Sequence, residues 1–195
     1  LLSSGSLGLA WHHAAIGPAL ANELALARMP QRPGAVAEGL AALDKVRILV
    51  GLREGSFGVA GCNQFLLRHL RTRYGESTAM HALPLLLSQA MPRLGLHNGD
   101  TGVLWFTQNG YRAFFRRDDG EIAECAEAEL PAHQIAWATT VHKAQGSEFE
   151  HVVILLPDPP HPLITRQWLY TAISRAKRGI DLVASDAAIR AALAN

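Results

Sequence analysis

With 195 residues, 49% hydrophobic and 18% charged, the chain is long enough to bury a core of its own and too apolar to be a disordered or low-complexity segment. A formal net charge of +1 excludes a polyanion-coating tail but leaves room for a locally basic groove. Cys62 and Cys125 lie far apart with no CxxC pattern, so neither a disulfide framework nor a zinc site is expected and a cytoplasmic setting is.

No run approaches the roughly 18 apolar residues of a membrane span, and the first residues do not read as a basic-then-apolar leader. The sequence starts at Leu1, within apolar, Gly-containing chain, as a fragment of a longer protein would. Of the 18 basic residues only Lys45, Lys143 and Lys177 are Lys. The Arg preference suits phosphate and carboxylate forks, and genomic base composition explains it equally well.

Ala and Leu at helical spacing predict a helix over 13–29, interrupted by Gly17-Pro18, and a second from Pro33-Gly34 to about Asp44. Val46–Gly51 reads as a buried strand, Arg53–Gly58 as a loop and Gly61–Tyr74 as a helix. From about Leu83 short β-like runs alternate with the turn signals Asn98-Gly99-Asp100, Asn109-Gly110 and Asp118-Asp119-Gly120, which predicts a small SH3-like β-barrel. After Pro131 the pattern returns to α/β: strand 135–140, a short helix over 141–145, strand 151–156, a Pro-rich loop, helix 165–175, strand 179–184 and a closing helix from Asp186. The expected organisation is an N-terminal helical segment or linker (1–44), a parallel-sheet domain (45–94 and 135–195) and an inserted β module (95–134).

Two stretches carry chemistry. Ala138–Glu150 (ATTVHKAQGSEFE) sets Thr139, Thr140, His142, Lys143, Gln145, Gly146 and Glu148 just beyond a strand end, where ligands of open α/β sheets sit. Each residue also has an ordinary reading: the threonines as caps, His142 and Lys143 as solvated surface. Trp168–Ile180 (WLYTAISRAKRGI) reads as an amphipathic helix closing on Arg175, Lys177 and Arg178. These are either ordinary partners of the helix dipole or, for Arg175, a phosphate-stabilising finger. Spacing alone leaves both open.

Taken together, TTVHKAQGSEF (Thr139–Phe149) and LYTAISRAK (Leu169–Lys177) resemble motifs V and VI of superfamily 1 helicases. With LREGSFGVAG earlier and LHNGDTG between, the wording is similar to the RecD branch, the alpha subunits of exodeoxyribonuclease V, over roughly residues 45–185. The resemblance implies a RecA-like parallel-sheet domain (2A) with the β segment inserted as subdomain 2B. It implies that Arg175 is the finger on the ATP γ-phosphate, that Glu148 approaches the ribose across a turn Gly146 keeps clear, and that Arg53 supplies a further phosphate contact. It implies that Thr139, Thr140, His142 and Lys143 touch single-stranded DNA, and that Trp105, Tyr111, Arg112, Phe114, Phe115, Arg116 and Arg117 offer a stacking surface or, for about half the aromatics, barrel core.

A motor of this type also needs a GxxxxGK[ST] loop and an acidic Mg2+-binding pair. The three lysines form no GK[ST], so a preceding RecA-like domain is expected to supply those parts. The resemblance further implies ATP and Mg2+ as cofactors, 5′→3′ movement, and RecB and RecC as partners in double-strand break processing. Neither a metal enzyme nor a Ser/His/Asp hydrolase is suggested, for no HExxH, Cys/His ligand spacing or GxSxG occurs. Two alternatives stay open: another RecD-like, relaxase-type or Pif1-like helicase, and a non-catalytic nucleic-acid-binding domain that keeps the fold.

Overall fold

The computed structural model describes residues 34–74, 82–107 and 110–195; the helix expected over 13–29 lies outside them. In chain order the elements are α1 (Ala35–Ala42), β1 (Val46–Val50), α2 (Val59–Tyr74), β2 (Ala82–Leu87), β3 (Thr101–Thr107), β4 (Gly110–Arg116), β5 (Ile122–Ala126), β6 (His133–Ile135), β7 (Ala138–Thr140), β8 (Phe149–Leu155), α3 (Arg166–Ile173), β9 (Ala176–Val183) and α4 (Asp186–Ala194). They fall into two compact units, one of Asp44–Leu66 with Trp137–Asn195, the other of Leu67–Ala136 with α1. Among the described residues no helix is long and apolar enough to cross a membrane.

The first unit is a parallel sheet of order β7-β1-β8-β9. Its central strands, VRILV and FEHVVIL, are almost unbroken apolar runs whose last four residues are buried, as strands covered on both faces must be. Leu49, Val152 and Ile154 share a core with Trp168, Leu169 and Ala172 of α3 and Ala188 and Ala192 of α4. Both helices start at hydroxyl caps: Thr165 Oγ1 accepts the Trp168 N–H and Ser185 Oγ the Ala188 N–H, each at 3.2 Å. Such caps contribute about 1 kcal/mol apiece. A parallel sheet with flanking helices fits the RecA-like helicase fold.

Helix α2 starts two residues before the expected Gly61 because the preceding loop folds back onto its first turn. The N–H groups of Val59 and Ala60 donate to the carbonyls of Leu52 and Arg53 at 3.0 and 3.1 Å. Glycine makes this approach possible: a Cβ on Gly58 would stand 2.2 Å from the Glu54 carbonyl oxygen, and one on Gly61 2.3 Å from that of Gly55.

The second unit is an antiparallel sheet of order β5-β4-β3-β2-β6. Strand β2 lies inside it, between β3 and β6, and not in the parallel sheet where the expected 45–94 segment would put it. Helix α1, expected in a linker, packs Ala35, Leu40 and Leu43 with Ala82, Val103 and Trp105 of this sheet. A continuous apolar stretch hid a second boundary. The single strand expected over 135–140 is two strands in two sheets: Ile135 pairs with Leu85 and Ala138 with Ile48.

The row of aromatic and basic residues on β3 and β4 is largely consumed by this packing. Trp105 and Phe115 are core residues, 3% and 0% exposed. Arg112 pairs with Glu124, and Arg117 with Asp119 at 2.8 Å. Phe106 and Tyr111 remain nearer the surface as an edge-on pair with centroids 5.0 Å apart.

Candidate functional site

Strand register divides the first unit's polar residues between two rims of the sheet. Thr140 aligns with Val50, and Val50 with Leu155, so the carboxyl ends of β7, β1 and β8 lie level. Strand β8 begins six positions lower, at Phe149, so segment 141–148 descends about 20 Å at roughly 3.3 Å per residue. This descent is a chain of turns and not the short helix expected over 141–145.

At the carboxyl rim the structure brings together Thr140, His142, Lys143 and Arg53. Thr140 Oγ1 accepts the Lys143 N–H at 3.4 Å, and its carbonyl accepts the Ala144 N–H at 3.1 Å, so Thr140 caps the first turn. Lys143 is half-buried; burial, and then the charge of Arg53, hold its amine below the ordinary lysine range. Arg53 follows the carboxyl end of β1 by three residues, and its charge acts on Lys143, so it belongs to this rim. Thr139 also departs from expectation as a surface contact. It is 2% exposed, shares a level with Leu49, and its hydroxyl lies in the core without a hydrogen-bond partner.

At the amino rim the second half of the descent meets the end of α3. The Phe149 N–H donates to the Arg175 carbonyl at 2.9 Å, and Phe149 aligns with Ala176 as β9 begins. This contact sets GSEF and ISRAK on one ledge. The Arg175 guanidinium donates from Nε to the Thr171 carbonyl at 3.4 Å, from Nη1 to the Ser147 carbonyl at 3.4 Å and from Nη2 to Ser174 Oγ at 3.1 Å. Of its five N–H groups, one on each terminal nitrogen is then left to point elsewhere, a fork suited to phosphate oxygens.

Glu148 is exposed on the same ledge, with Lys177 Nζ 3.9 Å from its carboxylate, a weak surface pair. Gly146 has φ +84 with open space around it; the left-handed backbone, not crowding, calls for glycine. Helix α3 ends at Ile173, so Lys177 and Arg178 belong to β9 and not to a last helical turn. Their reading as dipole partners of that helix is thereby removed.

Two residues that position the site were not singled out in the sequence. Asn63, 7% exposed on α2, donates from Nδ2 to the Ala138 carbonyl at 3.0 Å and accepts the Ala138 N–H on Oδ1 at 2.8 Å. It thus pairs with β7 as a neighbouring strand would. Arg47, 2% exposed on β1, places its guanidinium 4.9 Å from the centre of the Phe149 ring. Burial lowers its pKa to about 10, against the opposing attraction of Asp44. By contrast burial pushes the Cys62 thiol up to about 12, away from the thiolate form that reacts.

Residues 135–183, which span both rims, match the UvrD-like helicase C-terminal domain family. The chain is 37% identical over 164 residues to the RecBCD enzyme subunit RecD of Mycobacterium tuberculosis, an alignment covering 83% of this chain and 28% of the relative. To the RecBCD enzyme subunit RecD of Haemophilus influenzae it is 30% identical over 148 residues, 73% of this chain and 22% of that one. The chain is similar to the C-terminal region of RecD-type superfamily 1 helicases. The ATP-dependent RecD2 DNA helicase of Deinococcus radiodurans is 42% identical over 59 residues, 30% of this chain and 8% of that protein. The chain thus spans about a quarter of the length of the RecD subunits it matches.

Proposed function

We propose that these 195 residues are the second motor half of an ATP-dependent 5′→3′ DNA helicase, the RecD subunit of a RecBCD-type complex that processes double-strand breaks with RecB and RecC. The observation that carries this reading is the Phe149–Arg175 contact, which assembles GSEF and ISRAK into one wall for a nucleotide. On this reading Arg175 stabilises charge on the γ-phosphate, Glu148 meets the ribose and Gly146 leaves the turn open. The carboxyl rim, with Thr140, His142, Lys143 and Arg53, tracks the phosphates of single-stranded DNA; Thr139 supports it from the core.

Among the described residues no group of three or more His, Cys, Asp or Glu lies where it could hold a metal ion. Mg2+ and the phosphate-cradling loop belong, on this reading, to a first RecA-like domain. We read the antiparallel unit as the SH3-like 2B module and place the motor in the cytoplasm. The relatives' names favour the RecD branch over relaxase-type or Pif1-like motors and over a non-catalytic scaffold.

Full-length protein should hydrolyse ATP when single-stranded DNA is added, and the 195-residue chain alone should not. Robust DNA-stimulated turnover by the chain alone, abolished by Arg175→Ala, would contradict the half-motor reading. For the DNA rim, Lys143→Gln in the full-length protein should weaken single-strand binding and lower the slope of log K against log salt by about 0.7, the share of one phosphate contact. An unchanged slope would remove Lys143 from the track.

A further inference from the structure

A buried aromatic ring underpins the ledge that carries Glu148 and Arg175. Phe149 lies between them: it follows Glu148 in the chain, its N–H holds the Arg175 carbonyl, and its ring is 4% exposed. The next two residues are tied to the start of β1, with the Glu150 N–H on the Asp44 carbonyl at 2.9 Å and the His151 N–H on the Lys45 carbonyl at 2.7 Å. The Phe149 backbone is thus fixed on both sides, and its ring is what remains to be set.

Arg47 meets that ring. Aligned with Val152, it lies on the α3- and α4-covered face of the sheet, and it is charged where its neighbours Ile48, Leu49 and Val50 are apolar. A buried guanidinium is costly unless something compensates it, and a flat cation over an aromatic face is a directional contact. An apolar side chain would fill this place without that directionality.

We infer that Arg47, stacked on Phe149, is a positioning residue for the arginine finger, setting the end of the ledge from which Arg175 reaches the γ-phosphate position. The inference rests on the nucleotide-wall reading given above. Arg47 does not itself contact nucleotide; it acts through Phe149, and its loss should be felt where Arg175 acts and not where DNA binds.

The test uses full-length protein with single-stranded DNA and compares the affinity for ADP with that for ADP plus aluminium fluoride, which fills the γ-phosphate position. Arg47→Met keeps the stem and removes the cation. It should weaken the aluminium fluoride complex at least 10-fold while ADP and DNA affinities stay within about 2-fold. Phe149→Leu should repeat this selective loss, and Arg47→Lys, charged but not planar, should fall between. In an Arg175→Ala background Arg47→Met should cost nothing further. Equal weakening of both nucleotide complexes, or a full additional loss in that background, would overturn the inference, as would Arg47→Met behaving as wild type. If Arg47→Met does not fold, Phe149→Leu and Arg47→Lys carry the same decision. If Arg175→Ala itself leaves the aluminium fluoride complex intact, the nucleotide-wall reading fails, a result distinct from failure of the Arg47 step.

Discussion

Replacing Arg175 by Ala in the full-length protein is expected to lower DNA-stimulated ATP turnover by ~10³–10⁵, the usual cost of losing an arginine finger. The effect should fall on kcat, because the guanidinium is placed to meet charge that develops during transfer. Arg175 is half-buried beyond the end of α3, and its side chain bonds only to carbonyls and a hydroxyl of the same ledge. The fold should therefore survive the substitution, and a thermal melt should show it. Lys at this position should recover little, since it keeps the charge and loses the fork. Steady-state turnover at saturating ATP and DNA makes the measurement; a loss below 10-fold would remove Arg175 from the chemistry.

Asn63→Leu should cause the largest structural effect. It leaves the N–H and carbonyl of Ala138, a residue 0% exposed, without the amide that satisfies both. Each buried unsatisfied group costs about 1–3 kcal/mol, so for the two roughly 2–6 kcal/mol is at stake locally. Because 1.4 kcal/mol is tenfold in an equilibrium, hydrogen exchange at the Ala138 amide should accelerate at least ~25-fold in the full-length protein. Exchange indistinguishable from wild type would show that β7 does not depend on Asn63. The consequence for the site is direct, since β7 delivers Thr140 and the first turn of the DNA rim.

The sequence made the site's ingredients legible more readily than their grouping. GSEF and ISRAK are local patterns, and both kept their expected neighbours. What local pattern does not encode is strand register. Register alone separates Thr140 and Lys143 from Glu148 and Arg175 along one eight-residue descent, and Arg53, just past the end of β1, falls at the Lys143 rim. The run IAWATT looks like one strand because it is apolar without a break from Ile135 to Ala138, yet its two ends bond to different sheets. Lys177 and Arg178 looked like the charged end of a helix, but that helix stops at Ile173. Asn63 and Arg47 did carry a signal, a polar residue among buried neighbours, though a polar interruption has meaning only once its partner is known.

On the proposed reading, two rims of one sheet divide the labour between nucleotide and DNA. The most direct test measures ATP turnover and single-strand affinity side by side in full-length Arg175→Ala and Lys143→Gln. The expected result is a crossed pattern: Arg175→Ala abolishes turnover with DNA affinity within about 2-fold of wild type, while Lys143→Gln weakens DNA binding and retains turnover once DNA is saturating. If either substitution removed both properties together in folded protein, or if the two effects were exchanged, the division would be contradicted.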